Sequence, residues 1–178
     1  CQHEQAASIA AEAYGQHTNQ PGVCLTTSGP GAANAITGVT AGWIDSTPML
    51  VISGQAKRED LVGDTGVRQI GSQEVQIIDM VKPVTKYAVQ IMEPCEIRYH
   101  LEKAYYEAVS GRPGPVWLSI PLDVQAAMID EKCLAGYEQE TEVQQEIEGE
   151  IEKTRELLMQ AQKPVLVAGH GIRLAAAA

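Results

Sequence analysis

The chain has 178 residues, enough for one domain and the edge of a second, and carries a formal net charge of -10. That acidity excludes a nucleic-acid surface or an anionic-membrane surface, because both need a basic face. Hydrophobic residues make up 44% with no Phe, so any core rests on Val, Ile, Leu, Ala and Met. The cysteines Cys1, Cys24, Cys95 and Cys133 are irregularly spaced with no CxxC pair, which argues against zinc and a disulfide framework and points to a reducing cytoplasm. No apolar run is long enough to span a bilayer, and the four histidines form no metal constellation.

Residues 4–17 read as a helix with Ala6, Ala7, Ala10, Ala13 and Tyr14 on one side, broken by Pro21-Gly22. Val23 to Thr27 is a short apolar strand, Ser28 to Gly31 a turn, and 32–44 a helix. Pro48 to Ser53 is a fully apolar strand of the buried parallel kind. Residues 54–71 hold four glycines and many charges and read as a long loop, a type that often carries function. A short helix over Gln73–Met80, a strand over Tyr87–Met92 and a helix from Pro94 to Val109 follow. The Gly111–Pro115 turn then leads into a strand over Val116–Ile120. Strand–helix alternation predicts an α/β fold, a parallel sheet flanked by helices on both faces. In such sheets ligands sit beyond the carboxyl ends of the strands.

Composition changes near residue 130, with eight glutamates between Glu138 and Glu156. The expected division is 1–129 as the first domain, 130–160 as an acidic linker and helix, and 161–178 as the start of another domain. That helix would carry Val143, Ile147, Ile151 and Leu158 as an apolar stripe, and Pro164 to Gly169 would open the new domain as a strand. Both termini read as cut from a longer polypeptide.

Two features carry chemistry. Ser28-Gly29-Pro30-Gly31-Ala32-Ala33-Asn34 joins a strand to a helix and falls one residue short of the dinucleotide fingerprint. No acid follows the next strand to bind a ribose, so a tight turn that uses glycine for backbone freedom is an equal reading. Glu4 stands in the first turn of a helix, where the helix dipole alone favours an acid.

Several segments, in order, resemble the acetolactate synthase type of thiamine-diphosphate enzyme. These are His3-Glu4-Gln5-Ala6-Ala7 with Ala11-Glu12-Ala13-Tyr14, Thr27 to Asn34, Asp45-Ser46-Thr47-Pro48 with Ile52 to Gln55, Gln73-Glu74, Lys82 to Lys86, and Gly111 to Val116. The likeness covers Gln2 to Val124, with a weaker match from Lys163 to Leu174. It implies a pyrimidine-binding domain that lacks its first strand and helix. It implies that Glu4 hydrogen-bonds N1′ of the aminopyrimidine and activates the cofactor, helped by a dry apolar pocket that raises its pKa. Pro30, Gly31 and Asn34 match positions lining the cofactor and substrate side, and Gln73 matches a glutamine facing the active site. Arg112 matches an arginine that touches FAD in flavin-containing members, which makes FAD a candidate cofactor; a solvated turn arginine is the bland reading.

The resemblance further implies a 2-oxo acid substrate, a homodimer or homotetramer with its site between subunits, and Mg²⁺ bound by a domain with a Gly-Asp-Gly motif that this sequence lacks. Ser72 stands where those enzymes carry Phe, and Leu122 where they carry Lys, which points to a relative acting on another 2-oxo acid, or hydrolysing or ligating a different carbonyl compound. The competing readings are a non-catalytic nucleotide- or flavin-binding α/β module built on the Gly29–Asn34 turn, and a structural domain that supports oligomerisation.

Overall fold

The computed structural model describes residues 1–139 and 147–175. The chain divides into a unit from Cys1 to Glu138 and a second from Gln139 to Ala178.

The first unit is built on four parallel strands: β1 (Gly22–Thr26), β2 (Met49–Gln55), β3 (Tyr87–Gln90) and β4 (Pro115–Pro121), in the order β1-β2-β4-β3. Helix α1 (Glu4–Thr18) precedes β1. Between β1 and β2 lie α2 (Pro30–Asn34) and α3 (Ile36–Asp45), and α4 (Ile77–Val81) lies between β2 and β3. Helix α5 (Ile97–Val109) connects β3 to β4, and the short α6 (Leu122–Gln125) follows β4.

Side chains alternate across a strand, so one sheet builds two cores. Cys24, Met49, Val51 and Trp117 face one way and meet Ala11 of α1, Ala32 of α2, Ala35 at the helix break, Val39 of α3, and Ile77 and Val81 of α4. Val116, Leu118 and the partly buried Leu50 face the other way, toward Ala104 and Ala108 of α5. The expected parallel sheet with helices on both faces is what forms. Central β2 and β4 are covered on both sides and are accordingly apolar through most of their length. Edge strand β1 buries only alternate residues and leaves Val23 and Leu25 exposed.

Three local expectations are corrected. The side of α1 bearing Ala6, Ala10, Ala13 and Tyr14 faces outward, and the buried face is Ser8, Ala11, Glu12 and Gly15. Close backbone approach decides this. A Cβ on Gly22 would lie 1.8 Å from Ala11 O, and one on Gly38 would lie 2.5 Å from Ser8 Oγ, so α1 must turn its small and polar residues inward. The helix expected over 32–44 is two helices, interrupted at Ala35. The helix expected over Gln73–Met80 begins only at Ile77, because Gln73 adopts φ +56 and cannot continue a right-handed helix.

In the second unit, α7 (Glu148–Gln160) forms with no buried residue, so Ile147, Ile151 and Leu158 are exposed. Val143 lies outside the described residues. No strand forms over 164–169, and Val165, Leu166 and Val167 are exposed. A parallel strand needs a neighbour to satisfy its main chain, and none exists among the described residues of this unit. Helix α8 (Gly171–Leu174) ends the described chain.

Candidate functional site

The carboxyl end of β1 runs into the Ser28–Pro30 turn. Gly29 adopts φ +60 and ψ -128, a conformation that needs glycine, and Pro30 opens α2 with its fixed φ. Helix α1 runs back along the sheet and delivers Glu4 to this turn. Asn34, the last residue of α2, donates from Nδ2 to Glu4 Oε2 at 3.1 Å. A Cβ on buried Gly31 would lie 3.0 Å from Glu4 Oε1 and 2.5 Å from Thr27 Cγ2. A side chain here would crowd Thr27 first and press on the Glu4 carboxyl.

Glu4 is half-buried, not enclosed. Its own backbone N–H, then the Asn34 amide, hold its carboxyl below the usual carboxylate range. The expected dry pocket with a raised pKa is thus not formed by these residues. The group sits at an open sheet end and is stabilised as an anion by donors. Burial first and the Glu4 charge second push the thiol of the buried Cys24 up.

Gln73 comes from the loop after β2 and reaches the same turn, since a Cβ on Gly29 would lie 2.1 Å from Gln73 O. Four of the expected site positions, Glu4, Pro30, Gly31 and Asn34, therefore form one cluster with Gln73 against its edge. Arg112 does not join them. It precedes β4 at the amino ends of the strands, where its Nε donates to Ser46 Oγ at 2.6 Å. There it lines an open cavity of about 420 Å³ with Trp43, Ile44, Lys86 and Pro113.

Other residues that organise this end of the sheet carried no signal beyond their residue type. Thr26, Ser53, Ser119 and Gln90 occupy paired positions and form a polar row across the sheet near its carboxyl end. Trp117 Nε1 donates to Ser53 Oγ at 2.9 Å, while Thr26 Oγ1 and Ser119 Oγ are buried without a partner. Arg58 joins three strand-end loops. Its Nε donates to Asp123 Oδ2 at 2.7 Å, its backbone N–H to Asp123 Oδ1 at 3.0 Å, and its Nη1 to Met92 O at 2.9 Å. Ser72 and Leu122, the two departures from the acetolactate synthase pattern, are both exposed at this end.

Residues 1–80 match the family model described as "Thiamine pyrophosphate enzyme, N-terminal TPP binding domain". Over these residues the chain is similar to the N-terminal domain of thiamine pyrophosphate enzymes. It is 37% identical over 182 residues to an acetolactate synthase of Arthrospira platensis, covering 98% of this chain and 30% of that protein. It is 37% identical over 178 residues to the acetolactate synthase isozyme 2 large subunit of Escherichia coli, covering 99% of this chain and 31% of the relative. With the acetolactate synthase large subunit of Corynebacterium glutamicum it shares 39% identity over 175 residues, 96% of this chain and 26% of the relative. The chain thus spans about a third or less of the length of the curated relatives it matches. Among the described residues, no helix is long and apolar enough to cross a membrane, and no group of three or more His, Cys, Asp or Glu residues could hold a metal ion.

Proposed function

We propose that this chain is the pyrimidine-binding part of a thiamine-diphosphate-dependent enzyme acting on 2-oxo acids, and that Glu4 is the residue that activates the cofactor. One observation carries the reading. A half-exposed carboxylate, oriented by Asn34 and given room by Gly31, stands at the carboxyl end of a parallel sheet, where such folds bind ligands.

The donor set fits an aminopyrimidine. Oε2 of Glu4 is engaged by Asn34, which leaves Oε1, beside Gly31, for a ring nitrogen that carries a proton. When bound, the cofactor supplies a thiazolium carbon acid that becomes a nucleophile toward the 2-oxo carbonyl. Glu4 would hold the proton at N1′, and Pro30 with Gly31 would line the cofactor side of the site. Asn34 keeps the carboxyl aimed, and Gln73 faces the substrate side. Because Glu4 is held as an anion in the open chain, the apolar cover that would raise its pKa must come from surfaces outside these residues. A site shared between subunits of a homodimer or homotetramer supplies such a cover. Mg²⁺ and the diphosphate are assigned to residues outside this chain. FAD is assigned to the Arg112 end, where the exposed guanidinium lies near Trp43 and Pro113.

The test uses the intact enzyme. Glu4→Gln should abolish exchange of the cofactor C2 proton while leaving the fold intact by circular dichroism. Unchanged exchange would sink the assignment of Glu4. Titrating thiamine diphosphate, FAD and NAD against the same protein separates this reading from a non-catalytic nucleotide module, for which NAD would bind and thiamine diphosphate would not.

A further inference from the structure

One buried carboxylate ties the loop between β2 and α4. Glu74 Oε1 accepts from the backbone N–H of Val62 at 2.5 Å, and Oε2 accepts from the N–H groups of Ile70 and Gly71, each at 3.2 Å. Its own N–H returns to Gly71 O at 3.3 Å, and the residue is 7% exposed. Hydrogen bonds to an ionised acceptor are the strong kind, and a buried acceptor is costly to leave unpaired. Residues 62–74 are therefore closed into a ring around one side chain.

Gln73 sits at the end of this ring. Its φ of +56 lies in the left-handed region, which a non-glycine residue keeps only where its surroundings over-determine it. Here they do so from three sides. Glu74, the residue that follows it, is tied to the loop through its side chain, Gln55 Nε2 donates to Val75 O at 2.8 Å just beyond, and the Gln73 carbonyl is seated against Gly29.

We propose that Glu74 is a positioning residue for substrate recognition: its carboxylate holds Gln73 in the left-handed conformation, so that the Gln73 amide is presented to the carboxylate and carbonyl oxygens of the 2-oxo acid. The proposal rests on the thiamine-diphosphate reading of the site. Glu74 touches no substrate and acts through the loop.

The experiment uses the intact enzyme with thiamine diphosphate and Mg²⁺, with pyruvate as the probe 2-oxo acid. Glu74→Gln should speed hydrogen exchange at the Val62, Ile70 and Gly71 amides by about tenfold or more. It should raise KM for pyruvate about tenfold while the cofactor Kd stays within about twofold. Glu74→Asp, a shorter carboxylate, serves if Glu74→Gln does not fold, and should give a smaller change in the same direction. In a Gln73→Gly background, where no side chain is presented and the backbone needs no anchor, Glu74→Gln should leave KM where it was. Unchanged exchange, an unchanged KM, or an equal rise in KM in the Gln73→Gly background would each overturn the proposal. Failure of the wild-type enzyme to bind thiamine diphosphate would instead sink the reading of the site itself, and this proposal with it.

Discussion

Gly29→Ala tests whether the two halves of the site touch. Two separate costs apply. The first is conformational, because φ +60 with ψ -128 is glycine territory, and a side chain there costs about 1–3 kcal/mol. The second is contact, because the new Cβ would lie 2.1 Å from Gln73 O, roughly 1 Å inside any tolerable separation. That neighbour is backbone, so no rotamer change relieves it, and overpacking of this kind costs about 1–3 kcal/mol. Together they predict a loss of about 2–6 kcal/mol. Gly66→Ala isolates the first cost, because Gly66 has φ +76 and a methyl group there would meet nothing within 4 Å, so it should lose only about 1–2 kcal/mol. Urea denaturation of both variants, with hydrogen exchange at the Gly71 and Glu74 amides, is the assay. If Gly29→Ala lost no more stability than Gly66→Ala, and the Gly71 amide exchanged as in the wild type, the contact between the two loops would be refuted.

Trp117→Phe removes the indole donor to Ser53 Oγ in the buried polar row and leaves a gap beside it, so stability should fall by about 2–4 kcal/mol in urea denaturation. Adding Ser53→Ala should recover part of that loss, since an orphaned hydroxyl costs more than a missing one; no recovery would refute the account. Asn34→Ala removes one of the donors that depress the Glu4 pKa, so the Glu4 midpoint should rise toward its ordinary value in a carbon-detected NMR titration. The sign follows from linkage. A depressed folded-state pKa contributes stability above the ordinary pKa, and that stability is lost as pH falls through the folded value. Asn34→Ala should therefore weaken the pH dependence in the acid range, and an unmoved midpoint would show that Asn34 does not hold the carboxylate.

The α/β class was legible in the alternation of apolar strands with helices, because burial on both faces writes continuous apolar runs such as Met49 to Ile52 and Val116 to Leu118 into a chain. The Gly29–Asn34 turn was legible as well, since glycine and proline announce unusual backbone locally. Which side of α1 is buried was not. Alanine is ambivalent about water, and only the close approach of Gly22 and Gly38 decided that Ser8, Ala11 and Gly15 face inward. The strand expected over 164–169 failed for a related reason, because pairing depends on a neighbour that local composition does not specify.

For the site, the sequence by itself nominated Glu4, Gly31, Asn34 and Gln73 from separate segments of the chain, joined only by resemblance. Tertiary structure decided that α1 returns Glu4 to the turn after β1, and that Asn34 grips it. It also decided that Gln73 seats on Gly29, beside a glutamate whose three N–H partners come from one loop, and that Arg112 stands at the far end of the sheet. Strand polarity accounts for that last separation: in a parallel sheet all carboxyl ends lie together, so a residue after β1 and a residue before β4 cannot share a site.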